Sequence, residues 1–175
     1  MQIVATILGA DRLNLIAEIG QVVSECRCTL LESRLTELGT EFAGHLMVEG
    51  NWNHIARFES ALENLAARYA LKIHMRRVPE DKPREEDAIP YAVDVVAGES
   101  GSHLYELADF FVARHIKILD VSTSRPPAPY SGTPMFIAHL TVMIPPTMKI
   151  IPLRDEFVEF CDRQNLDAIL EPVKR

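Results

Sequence analysis

Three groups of residues in this chain have types and spacings that could do chemistry. Gly98-Glu99-Ser100-Gly101-Ser102 lies between a strand-like and a helix-like stretch, the setting in which a sharp turn exposes a nucleophilic serine. The final Gly of Gly-x-Ser-x-Gly is missing, so Ser100 reads as a turn residue rather than a hydrolase nucleophile. Cys26 and Cys28 stand two apart, but a cysteine metal site needs a second pair and none follows. Cys26 also falls on an apolar helical stripe, which favours a buried structural thiol. His45 and His139 recur at the same place in two matching segments, 42–48 and 136–142. As metal ligands they would need carboxylate or thiolate companions that the sequence does not place, so a repeated half-buried imidazole is the expectation. His54, His74, His103 and His115 show no ligand spacing. The chain is therefore expected to be non-enzymatic, with no catalytic residue, metal or cofactor.

The totals narrow the function classes further. A length of 175 residues allows one ordinary domain or two small ones of about 80–90 residues. Hydrophobic residues make up 47% and charged residues 25%, as in a globular protein, and no apolar run reaches the roughly 18–20 residues of a membrane span. The short apolar stretch Ile3 to Leu8 lacks a basic flank and is not expected to be a signal peptide. Three cysteines do not make a disulfide framework, so a cytoplasmic location is expected. A net charge of −7 argues against direct binding to a DNA duplex, which needs a cationic face to neutralise phosphates. The densest basic stretch, Arg76, Arg77, Lys82 and Arg84, is interleaved with Glu80, Asp81, Glu85, Glu86 and Asp87. Any role in transcription would run through another protein.

The elements that position these residues come in two sets. Phe42-Ala43-Gly44-His45-Leu46-Met47-Val48 returns as Phe136-Ile137-Ala138-His139-Leu140-Thr141-Val142. Before the first copy, Gln2 to Leu8 reads as a central strand covered on both faces. Leu15, Ile19, Val22 and Cys26 then recur at helical spacing behind Asn14, a candidate N-cap. Thr29 to Leu38 alternates, Gly39-Thr40 turns, and Glu41 to Glu49 returns as a hairpin strand. Ile55, Phe58, Leu62, Leu65 and Tyr69 form an amphipathic stripe, with Trp52 and Ile55 placed to staple its start. Leu71 to Val78 closes the set in the order βαββαβ.

Pro79 to Pro90 holds three prolines and seven charges, a linker composition. The order then repeats, giving a first domain 1–79, a linker 80–89 and a second domain 90–175. Gly98-Glu99-Ser100-Gly101 is aligned with Gly9-Ala10-Asp11-Arg12 at an offset of 89. Leu104, Ala108, Phe111 and His115 then follow Leu15, Ile19, Val22 and Cys26, and His103 follows Asn14. The offset grows to 94 after the proline-rich stretch Arg125 to Pro134 and to 95 after the Phe136 strand. That stretch is either a solvated hairpin connection or a partner-docking edge. Each βαββαβ set predicts an α+β, ferredoxin-like unit, with a four-stranded antiparallel sheet and two helices on one face. The first and third strands are central. The other face stays bare, and a sister unit or a second chain is expected to cover part of it.

This order, with a strand ending in Gly9-Ala10-Asp11-Arg12 ahead of a helix, resembles the ACT domain, a small amino-acid-sensing module. Its members commonly read Gly-x-Asp-Arg-Pro-Gly there, where this chain has Leu13-Asn14 in place of Pro-Gly. A free-standing tandem pair most resembles the glycine cleavage system transcriptional repressor family. The resemblance implies a ligand loop at Gly9, Ala10, Asp11, Arg12, Leu13 and Asn14, with its second copy at Gly98, Ser100, Gly101 and His103. Helix N-terminal amides there would favour the carboxylate of a small amino acid, such as glycine. Asp11 would pair with an ammonium group, cap the helix or act as a turn residue. Arg12 would hold a carboxylate or a partner's acidic group, or stay solvated.

The implied function is an amino-acid-responsive transcriptional repressor that acts through a DNA-binding regulator protein and forms a homo-oligomer. The alternative is a protein-interaction module, or a regulatory subunit of a separate enzyme, with no working ligand pocket. The missing Pro-Gly and the altered second loop support that alternative.

Overall fold

Alternation along β1 (Gln2–Ala10) sends Ile3, Ala5 and Ile7 fully into a core, while Thr6 and Leu8 stay exposed. The strand is central, as its apolar run implies, but within its unit only one of its faces is covered. A computed structural model of the chain describes residues 1–79, 88–98 and 103–173. Most of the expected linker, together with Ser100 and Gly101, lies outside the described residues.

The chain divides into two compact units, Met1–Pro83 and Arg84–Arg175. The first contains β1, α1 (Leu15–Glu25), β2 (Thr29–Leu38), β3 (Glu41–Glu49), α2 (Trp52–Tyr69) and β4 (Lys72–Val78). The second contains β5 (Ile89–Ala97), α3 (His103–Val112), β6 (Lys117–Ser124), β7 (Phe136–Ile144), α4 (Ile150–Gln164) and β8 (Leu166–Pro172). Each sheet is antiparallel, ordered β2-β3-β1-β4 and β6-β7-β5-β8. Both units are thus ferredoxin-like βαββαβ folds, with the first and third strands central.

The helices of each unit share one core with one sheet face. Leu15, Ile19 and Val23 from α1 meet Ile55, Phe58, Leu62 and Leu65 from α2 over Phe42, Leu46 and Val48. In the second unit an aromatic cluster of Phe110, Phe111, Phe157 and Phe160 takes this place. Alternation in β3 puts Phe42, Gly44, Leu46 and Val48 inward and Ala43, His45 and Met47 on the bare face. The simple alternation read in β2 does not hold throughout. A bulge between Leu30 and Glu32 leaves Leu31 out of the ladder, so Leu30 faces the same side as Val48. The same bulge recurs between Ile118 and Asp120.

Strand pairing also corrects the alignment of the two units. Gly9 pairs with Phe42 as Ala97 pairs with Phe136, and Arg27 and His115, both with positive φ, stand 88 residues apart. The offset before the hairpin is therefore 88 rather than 89. Ala97 takes the place of Gly9, and Ser100 corresponds in sequence to Arg12. His103, not Leu104, takes the place of Leu15. Burial agrees: α3 turns His103, Leu107 and Phe111 inward and leaves Leu104 42% exposed.

Two helix starts differ from expectation as well. Asn14 has helical backbone angles and no side-chain cap bond; the first turn is instead closed by the Leu15 N–H donating to Arg12 O at 3.0 Å. At α2 it is Asn51 that caps, its Oδ1 accepting from the His54 N–H at 2.9 Å. Trp52 is 63% exposed and staples nothing. The stretch Arg125 to Pro134 extends its hairpin through Ala128 N–H to Thr133 O at 2.8 Å and Met135 N–H to Pro126 O at 2.9 Å, leaving Tyr130 fully exposed.

Candidate functional site

The β1–α1 loop of the first unit is held at both ends. Asp11 N–H donates to Thr40 O at 3.0 Å, tying the loop to the β2–β3 turn. Gly9 is needed for close packing, since a Cβ there would stand 2.6 Å from Leu71 Cδ2 and 3.3 Å from Leu71 Cα. From Ala10 to Asn14 every residue is exposed, with Leu13 at 99%.

Arg12 is the positioned side chain of this loop. Its guanidinium carbon lies 5.1 Å from the centre of the Tyr69 ring, a cation–π placement that orients the group. Tyr69 is itself fixed, its hydroxyl donating to Glu18 Oε1 at 2.5 Å. Arg68 pairs with the other oxygen of Glu18 at 3.3 Å and lies 5.8 Å from the same ring. Glu18 is thereby committed to Tyr69 and Arg68. Among the described residues neither the Arg12 guanidinium nor the Asp11 carboxylate has a hydrogen bond or ion pair. A guanidinium held by its face keeps its N–H edge free for a carboxylate.

Glu18, Arg68 and Tyr69 were not singled out from the sequence. Tyr69 closes an apolar stripe and reads as core, and Glu18 and Arg68 are 50 residues apart. Only the packing of α1 beside the end of α2 brings them together. In the second unit Glu106, Arg163 and Gln164 occupy the places of Glu18, Arg68 and Tyr69, and Ser100 corresponds in sequence to Arg12. Neither the aromatic ring nor the loop arginine is repeated.

Gly98 is exposed, and His103 opens α3 as a buried residue. Its ring lies 5.4 Å from Phe136, its Nδ1 is 3.7 Å from Glu106 Oε2, and neither nitrogen has a hydrogen-bond partner. His45 and His139 are exposed rather than half-buried, because both lie on the bare sheet face. His139 Nδ1 stands 2.6 Å from Asp94 Oδ1. Cys26 is buried, and desolvation pushes its thiol pKa up. Among the described residues no three of His, Cys, Asp or Glu come together as a metal site, and no helix is long and apolar enough to cross a membrane.

A hollow of about 440 Å³ in the first unit lies on the bare face against Val4, Met47, His74, Arg76 and Val78. Others, of about 420 and 240 Å³, lie along α1 and α2. Gly9 to Asn14 line none of these.

The ACT domain family matches residues 1–76, the span of β1 to β4 that carries the loop. The first unit is an ACT domain. Beyond it, the chain is 28% identical over 171 residues to the glycine cleavage system transcriptional repressor of Escherichia coli (strain K12), covering 98% of this chain and 90% of that protein. The repressor of the same description from Shigella flexneri matches equally. A crystal structure described as a glycine cleavage system transcriptional repressor superimposes with a TM-score of 0.73 at 22% identity, covering 99% of this chain and 98% of the other. An unknown protein from Galdieria sulphuraria does so with a TM-score of 0.73 at 21% identity and the same coverage. These likenesses span both units, and the two solved structures share the tandem fold. Within the ACT domain, the Arg12–Tyr69 pair sits where the strand-to-helix loop meets the end of α2.

Proposed function

We propose that this chain is a non-enzymatic, amino-acid-responsive regulator that represses transcription through a DNA-binding partner protein, with glycine cleavage as the controlled system. The observation that carries the sensing role is Arg12, oriented on Tyr69 at the β1–α1 loop and without an ion pair among the described residues. Similarity over 98% of the chain to a named repressor supports regulation, and the net charge of −7 supports a partner that makes the DNA contacts. The ligand carboxylate would lie against Arg12 at the positive, N-terminal end of α1, and its ammonium group beside Asp11. Ala10, Leu13 and Asn14 would frame it. A cytoplasmic homo-oligomer is the working form in this reading.

A second reading has its own support. The loop lines none of the described hollows, and the second unit lacks both Arg and Tyr at the equivalent places. The chain would then be an interaction module, or a regulatory subunit of a separate enzyme, without a ligand.

Calorimetry of the full chain against a panel of amino acids, glycine included, separates the two. The sensing account predicts binding in the micromolar to millimolar range, since so small a ligand offers few atoms. Arg12→Ala should weaken it about tenfold or more. Binding that Arg12→Ala leaves unchanged removes the loop from the site, and no binding at all favours the interaction module.

A further inference from the structure

The two bare sheet faces have diverged in charge at equivalent positions. Leu8 pairs with Lys72 as Val96 pairs with Asp167, and Val4 pairs with Arg76 as Ala92 pairs with Glu171. Two cations of the first unit thus stand where the second has two anions. Between them, Thr6 pairs with His74 where Asp94 pairs with Ile169. Over β1 and β4 the exposed charges of this face, Lys72 and Arg76, are positive; over β5 and β8 they are Asp167 and Glu171, both negative, with the half-buried Asp94 against His139. Across β2 and β3 the signs are mixed, as in the Glu32–Arg34 pair at 3.1 Å.

Shape follows the same division. The β1/β4 half holds the hollow of about 440 Å³, with an apolar floor of Val4, Met47 and Val78 and a rim that includes His74 and Arg76. The β5/β8 half carries Ile169, 60% exposed between its two acidic neighbours. An apolar centre inside a charged rim is the usual anatomy of a protein interface.

We propose that the β1/β4 face of one chain receives the β5/β8 face of a second copy. Ile169 enters the hollow, and Lys72 and Arg76 meet Asp167 and Glu171. The occupant is a second copy, whose Asp167, Glu171 and Ile169 match Lys72, Arg76 and the hollow in charge and shape; the same faces meeting within one chain would leave it monomeric. Each chain brings one face of either kind, so two chains close a pair with two identical contacts. The inference rests on the homo-oligomer of the proposed function and not on amino-acid sensing, so its test is run without any amino acid.

Sedimentation of the full chain should show a dimer that weakens as salt rises. Lys72→Glu with Arg76→Glu should raise its dissociation constant about tenfold or more, as should Asp167→Lys with Glu171→Arg. All four side chains are exposed, and circular dichroism checks that each variant stays folded. Mixing the two variants should restore a dimer, since each supplies the charge the other needs. Three results would overturn the proposal: a wild-type chain still monomeric at about 100 μM, dimerisation insensitive to the reversals, or a mixture that stays dissociated.

Discussion

Arg12 shows how little of a site a motif alone conveys. The sequence placed it beside Asp11 in a strand-to-helix loop, but its orientation comes from Tyr69, which is 5.1 Å away and lies on another helix. Tyr69 reads as the last residue of an apolar stripe, and a stripe does not reveal that its end reaches a loop. The histidines failed for a related reason. A shared strand position says that two imidazoles face the same way, but whether that way is buried depends on what covers the sheet. Cys161 offers a test at this scale. Burial against α4's core side pushes its thiol from an ordinary 9.0 up to about 11, because desolvation disfavours the thiolate. A thiol-specific disulfide reagent at pH 8 should therefore modify Cys161 far more slowly in the native chain than in the unfolded one; equal rates would contradict its burial. Since the unfolded thiol ionises first as pH rises, this residue's contribution to stability is present below pH 9.0 and is lost as pH climbs through about 11.

At the scale of elements, hydrophobic periodicity located the strands and helices, and the repeated Phe-x-small-His-Leu-x-Val strand located the duplication. A one-residue shift in the alignment of the first halves was invisible, because Gly9 and Gly98 match by type. Strand register resolves it, since a shift of one residue would turn every side chain to the other face. The bulges at Leu31 and Leu119 were equally hidden, as an extra residue in an edge strand leaves the composition unchanged. The corrected register exposes a compensated packing pair. In the first unit Gly44 lies opposite Leu35, and a Cβ at Gly44 would come within 2.6 Å of Leu35 Cδ2 and 3.0 Å of Arg34 O. The second unit has Ala138 opposite Thr123 at the same place. Gly44→Ala should cost about 1–2 kcal/mol from overpacking. Added to Leu35→Thr, it should cost less than the sum of the two single changes. Chemical denaturation of the three variants measures this, and strict additivity would contradict the packing account.

At the scale of the whole molecule, duplication supplied one scaffold and let the two copies diverge where ligands and partners would touch them. The fold was legible because apolar residues recur on both sets of elements. Divergence of the two units was only partly legible: the loop difference shows in the sequence, whereas the charge reversal between β4 and β8 emerges only once strand pairing aligns them. The proposed function turns on the β1–α1 loop of the first unit receiving an amino acid. The most direct measurement is a nuclear magnetic resonance titration of the isotopically labelled full chain with glycine and the other small amino acids. Saturable shifts are predicted at the amides of Asp11, Arg12 and Asn14 and at Tyr69, and they should vanish in Arg12→Ala. Saturable shifts confined to the second unit, or none anywhere, would contradict the claim.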